Sequence, residues 1–194
     1  MTAAGRRGRP RSADTNDLLL AATMAVLREV GYHGLTIEAV AARAGVGRPT
    51  VYRRWANKEQ MVVSALAAAV SHEDGPDTGD PIENLRLRVV GLSRHLHETG
   101  LGPIVLGVYA AAQSSTGLAE ALREGYLGPG TQWLVRTVDE AIARKQLRAD
   151  VDVELVRNLL FGPALYHLVL AGEPASDHLA ATMFAAALPG LRPD

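Results

Sequence analysis

Thr36-Ile-Glu-Ala-Val-Ala-Ala-Arg-Ala-Gly-Val-Gly-Arg-Pro-Thr-Val-Tyr-Arg-Arg-Trp55 is the stretch that decides the fold. Thr36 is a good N-cap, and Glu38 favours the positive first turn. Ile37, Val40 and Ala41 form an apolar stripe, so a helix is predicted over residues 36–44. Gly45-Val46-Gly47 is a tight turn around one apolar plug, and Gly45 reaches a left-handed backbone at little cost. A second helix is predicted over residues 48–55, with Pro49 near its start, where a missing N–H is harmless. Helix, tight turn, helix is the size and shape of a helix-turn-helix unit.

Working outward, Asn57-Lys58-Glu59-Gln60 reads as a capping arrangement that opens a helix to Val70, with Met61, Ala65, Leu66 and Ala69 inward. Upstream, a helix is predicted from Asp14 to Val30, with Leu18, Ala22, Ala25, Leu27 and Val30 on its apolar face and Gly31 as its stop. Residues 1–12 form a polar basic arm. Residues 71–81, with Gly75, Pro76, Gly79 and Pro81, read as a linker. Helices are then predicted over residues 82–99, 103–114, 117–124 and 132–146, with Gly125 to Gly130 breaking the pattern. Residues 152–171 are apolar nearly all round, so burial in the centre or at a subunit contact is expected. Pro163 should bend that helix, and residues 176–188 form a last one. No strand series is visible. The class is all-α: a flexible basic arm (1–12), a helix-turn-helix domain (13–58) and a larger helical domain (59–194).

Charge sharpens the reading. The chain of 194 residues has 20 basic and 21 acidic side chains, a net charge of −1, which by itself disfavours a nucleic-acid partner. Residues 1–60 hold ten bases against five acids, and the remainder ten against sixteen, so a head of +5 sits on a body of −6. A basic head suits phosphate contact. The chain has no cysteine, which removes thiol catalysis, thiol sensing and disulfides. No run of 18 uninterrupted apolar residues occurs, and no apolar segment follows the N-terminal arginines, so neither a membrane span nor a signal peptide is expected. The expected location is intracellular.

The run from Thr36 to Met61 resembles the N-terminal domain of the TetR family of bacterial transcription regulators, over roughly residues 14–65. The resemblance implies that Arg48–Trp55 is the recognition helix, that Tyr52 and Lys58 touch phosphate, and that Thr36 caps its helix and faces the backbone. Trp55 departs mildly from the Phe or Tyr usual at its position. The residue chemistry agrees. Arg48 or Arg53 could read guanine, Thr50 could combine a hydroxyl contact with methyl packing, and Pro49 shares that end of the helix. Val51 and Trp55 read as packing residues, and Arg54 as either a contact or a solvated arginine. Arg7-Gly8-Arg9-Pro10-Arg11 resembles the core of an AT-hook, which places Arg7, Arg9 and Arg11 in a narrow minor groove.

In such regulators the acidic body dimerises and often holds a small-molecule pocket. The expected partners are therefore double-stranded operator DNA, a second copy of the chain and a small apolar or aromatic effector. Candidate pocket residues are Leu92, Leu96, Val105, Tyr109, Gln113, Tyr126, Trp133 and Thr137. Residues 152–171 and 176–188 are expected to form a four-helix subunit contact, with Leu160, Pro163, Ala164, His167 and Phe184 at the seam. Rival readings are weaker. His95 and His97 diverge on a helix, and His72-Glu73-Asp74 reads as fortuitous acidity, so no metal, cofactor or catalytic site is expected. A helical protein-interaction module would bind no specific DNA, and an architectural DNA binder would show weak specificity without ligand response.

Overall fold

The computed structural model describes residues 12–70 and 75–193, all helical where regular. Helix α1 runs Ser12–Gly34 and is broken at Gly31, whose φ of 66° and ψ of −177° leave the helical region. Its buried face is Leu19, Ala22, Thr23, Val26 and Leu27, whereas Leu18 and Val30, expected inward, are exposed. Leu18 through Ala22 are all apolar, so the sequence allows more than one stripe, and packing selects the one centred on Leu19 and Thr23. The Thr23 hydroxyl satisfies itself by donating to the Leu19 carbonyl at 2.8 Å.

Helices α2 (Ile37–Arg43), α3 (Arg48–Tyr52) and α4 (Lys58–Val70) complete the head. The expected capping arrangement forms: the Asn57 carboxamide oxygen accepts from Gln60 N–H at 2.9 Å, and the Gln60 side-chain oxygen accepts from Ala56 N–H at 3.1 Å. Helix α4 lies on α1 and also on α7, so one apolar core runs unbroken from Leu19, Val40 and Met61 to Val105, Val108 and Leu118. Packing therefore continues across the division drawn at residues 58 and 59.

The body holds α5 (Pro81–Glu98), α6 (Gly102–Ala112), α7 (Thr116–Leu122), α8 (Gly128–Ala143), α9 (Val153–Leu160), α10 (Gly162–Ala171) and α11 (Asp177–Ala187). The end of the expected linker is anchored. Asp80 caps α5, the buried Asn84 accepts from Thr78 N–H at 2.8 Å, and Gln146 donates to Asp80 at 3.0 Å. The break expected at Gly125–Gly130 is instead a π-helical turn, Arg123–Leu127, running directly into α8. Pro in the first turn of α8 removes no helical hydrogen bond, so it starts the helix rather than interrupting it. A second core joins Leu85 and Val89 of α5 to Leu134 and Val138 of α8, Val156 and Leu160 of α9, and Phe184 of α11.

The apolar stretch 153–171 is interrupted at Phe161, between α9 and the first turn of α10, which contains Pro163. Val156, Leu160 and Leu168 are buried, but Leu155, Leu159, Leu165, Tyr166, Val169 and Leu170 stand exposed. The burial expected on all sides is thus met on one side only within the protomer. By length and composition alone this stretch, Val153–Ala171, is long and apolar enough to cross a membrane, although Glu154 and Arg157 interrupt its apolar run.

Candidate nucleic-acid interface and effector cavity

Thr36 starts α2 as expected, its hydroxyl accepting from Ala39 N–H at 3.1 Å. Ile37, Val40 and Ala41 are buried. Gly45, at φ 67°, lets the chain reverse so that its N–H reaches the Ala42 carbonyl and Val46 N–H reaches the Ala41 carbonyl at 3.0 Å. A residue with a Cβ would be strained there. Helix α3 is shorter than the residues 48–55 expected, ending at Tyr52. Val51, fully buried, and Trp55 tie it to the core, and the Trp55 indole donates to the Ser64 hydroxyl at 2.9 Å. Both packing assignments hold.

That anchoring leaves Arg48, Pro49, Tyr52 and Arg53 exposed and Thr50 half-buried. Arg48 pairs with Glu38 across the turn at 3.2 Å. Arg54 donates to the Thr50 carbonyl at 3.1 Å, so part of its capacity is structural. Lys58 is half-buried, its ammonium 4.3 Å from the centre of the Tyr32 ring, and burial lowers its pKa against the opposing pull of Glu59. The Tyr32 hydroxyl donates to Glu59 at 3.1 Å, and its pKa is pushed up to about 12, first by burial and then by Glu59. Thr36, Arg48, Tyr52 and Lys58 thus belong to one small unit, whereas Arg7, Arg9 and Arg11 lie outside the described residues.

In the body, Leu92, Leu96, Val105, Tyr109, Tyr126 and Trp133 line one cavity of about 120 Å³. Two expected wall residues are elsewhere. Gln113 is exposed at the end of α6, and Thr137 is buried one turn along α8, its hydroxyl donating to the Trp133 carbonyl at 2.9 Å. Residues not foreseen complete the wall: Arg88, Leu127, Thr131 and Leu134, with Arg157, Phe161 and Leu165 from α9 and α10. Arg88 was findable, since residues 88, 92 and 96 step by four along α5. Its guanidinium lies 5.9 Å from the Trp133 ring centre, and burial lowers its pKa. Arg157 donates to the Thr131 hydroxyl at 3.0 Å. The rings of Tyr109 and Tyr126 meet edge-on at 6.4 Å, and burial raises both phenol pKa values.

The expected seam residues divide. Leu160 and Phe184 are buried in the protomer's own second core and do not present an outer face, while Pro163, Ala164 and His167 are half-buried. The bare apolar side chains are their helical neighbours, because an all-apolar helix does not reveal which side the protomer covers. Among the described residues no group of three His, Asp or Glu is disposed to hold a metal; His72, Glu73 and Asp74 lie outside them.

Two family models match the chain. One, for bacterial regulatory proteins of the tetR family, covers residues 19–65, and one, for the tetracyclin repressor-like C-terminal domain, covers residues 75–187. The uncharacterised HTH-type transcriptional regulator YdeS of Bacillus subtilis (strain 168) is 30% identical over 173 residues, covering 89% of this chain and 87% of that protein. The DNA-binding transcriptional repressor TetR of Mycobacteroides abscessus is 29% identical, with 88% of each chain covered. The crystal structure of the TetR family transcription regulator SCO0332 superposes with a TM-score of 0.67 at 26% identity, covering 93% of this chain and all of that one.

Proposed function

The chain belongs to the TetR family of bacterial regulatory proteins, DNA-binding transcription regulators rather than enzymes, and from that premise we propose a ligand-responsive repressor that binds a palindromic operator as a homodimer. It acts in the cytoplasm, on the chromosome. The observation that carries the reading is α3, pinned from behind by Val51 and Trp55 so that Arg48, Tyr52 and Arg53 project outward. Arg48 reads a base edge; Tyr52, Lys58 and Thr36 position the phosphate backbone. One such head covers a few base pairs, so two related by a dyad read two half-sites spaced by whole helical turns.

The cavity supports the regulatory part. Its wall is mostly apolar with a few polar groups, as effector sites are. Phe161 and Leu165 belong to this wall, and Leu165 also stands on the bare apolar face of α9 and α10. An effector held there touches the same helices that face the second subunit, and it shifts the population between half-site spacings that fit the operator and spacings that do not.

The test is selection of bound sequences from random duplex DNA, repeated with Arg48→Ala and Tyr52→Ala. A palindromic consensus is expected for the wild type. Arg48→Ala should lose preference at one position per half-site, about 1–3 kcal/mol, and Tyr52→Ala should weaken all sequences alike. Unchanged preference and affinity in both variants would overturn the recognition-helix assignment.

A further inference from the structure

Lys58 and Glu59 are neighbours of opposite charge at the start of α4, yet they are not paired. Among the described residues neither forms an ion pair. One side chain engages both. The Tyr32 ring lies against the Lys58 ammonium, 4.3 Å from its centre, while the Tyr32 hydroxyl donates to the Glu59 carboxylate at 3.1 Å. Tyr32 follows the break in α1 at Gly31 and is buried in the core of the head, so its ring is a fixed support. A ring face attracts a cation through its quadrupole and leaves the charge in place. A carboxylate in the same position would cancel it. An ammonium has three N–H donors, so one held against a ring keeps others for an outside acceptor.

We propose that Tyr32 is a positioning residue for binding the DNA backbone: its ring presents the Lys58 ammonium to a phosphate, and its hydroxyl keeps the Glu59 carboxylate from taking that ammonium first. This rests on the reading of Lys58 as a phosphate contact and deepens it by naming what aims the charge. Lysine carries its charge on a flexible stem, and an unsupported one loses rotamer freedom on meeting DNA. Tyr32 orders that stem before DNA arrives. Glu59, one residue away, would both pair with Lys58 and repel the phosphate. Its hydrogen bond to the buried phenol directs a carboxylate oxygen to the core instead.

The test is a set of double-mutant cycles on the affinity of the full chain for a random-sequence duplex, titrated over sodium chloride, because a phosphate contact is indifferent to sequence. Lys58→Gln should weaken binding and lower the salt slope by about one for each bound head. Tyr32→Phe keeps the ring and frees Glu59. It should weaken binding about two- to threefold, and Glu59→Gln should tighten that variant by more than it tightens wild type. Tyr32→Leu also removes the ring and should weaken binding about three- to tenfold. In the Lys58→Gln background both Tyr32 substitutions should have almost no effect. Substitutions of Tyr32 that weaken Lys58→Gln as much as wild type would overturn the proposal and leave Lys58 standing as a phosphate contact, since Tyr32 would then act on the fold alone. Equal gains from Glu59→Gln in the Tyr32→Phe and wild-type backgrounds would overturn the role of the hydroxyl. A Lys58→Gln variant that binds like wild type at every salt concentration would overturn the phosphate reading of Lys58 itself, and this proposal with it. Should Tyr32→Leu fail to fold, the cycle of Tyr32→Phe with Glu59→Gln decides.

Discussion

Arg48 cannot read DNA while it remains bound to Glu38, so the two interactions compete. The pair is exposed, with side-chain accessibilities of 64% and 46%, and such pairs contribute about 0–1 kcal/mol. A bidentate guanine contact discriminates by about 1–3 kcal/mol, so DNA wins and Glu38 only reduces the gain. Glu38→Gln should therefore tighten binding to the operator more than to random duplexes, by no more than about fivefold, as a competition mobility assay would show. Equal tightening on both duplexes would mean that Glu38 acts through its charge on the phosphates and does not compete for Arg48. Tyr32 sets a second expectation. Its phenol, pushed up to about 12 by burial and by Glu59, ionises near 10 when unfolded. Between those values the unfolded chain has lost a proton that the folded chain still holds. The contribution is thus full below pH 10 and disappears as pH rises through 12. Urea melts from pH 9 to 12 should show a shallower alkaline decline for Tyr32→Phe than for wild type.

The π-helical turn Arg123–Leu127 makes a bridge at the scale of elements. Tyr126 points its ring toward the cavity wall, while a Cβ on the adjacent Gly125 would come within 2.9 Å of the Val63 Cγ1 of α4. Gly125 permits a close approach that no larger residue allows without movement. Gly125→Ala should cost about 1–3 kcal/mol in denaturant melts, and Val63→Ala in the same chain should recover part of it, as coupling between touching residues requires. Additive losses would separate the two sites. This bridge was invisible in the sequence, where Gly125, Gly128, Pro129 and Gly130 read as breakers. Propensity misleads there because Gly and Pro are tolerated at a helix start and in a π-turn held by packing. The helix-turn-helix was legible almost residue by residue, since capping by Thr36 and Asn57, the Gly45 turn and the Val51 and Trp55 anchors are local chemistry. The cavity was legible only in part. Leu92, Leu96, Tyr109 and Trp133 lie on helices whose stripes can be read, but Arg157 of α9 and Phe161 just after it come from further along the chain, and only tertiary packing brings them in. For the same reason Leu160 and Leu159 could not be told apart: one faces the core and the other solvent.

At the scale of the whole molecule, the basic head and acidic body sit at opposite ends of the sequence, and a bare apolar face on α9 and α10 lies in the body. Tyr166, Val169 and Leu170 are 66%, 60% and 67% exposed, and Leu155, Leu159 and Leu165 extend the patch. A patch of this composition marks a surface that something covers. A second copy fits best, because the two-fold operator reading needs a dyad and an isologous contact supplies one. A double substitution, Val169→Glu with Leu170→Glu, places two like charges on that surface while leaving the inward Leu168 and Leu160 in place. Sedimentation at micromolar protein should give a dimer for wild type and a monomer for the variant, with the far-UV spectrum retained. Operator binding by the variant should weaken and become second order in protein, since each half-site must then recruit its own chain. A wild-type monomer, or a variant that stays dimeric, would remove this face from the subunit contact. Flotation of the wild type, but not the variant, with lipid vesicles would place the face against a bilayer instead.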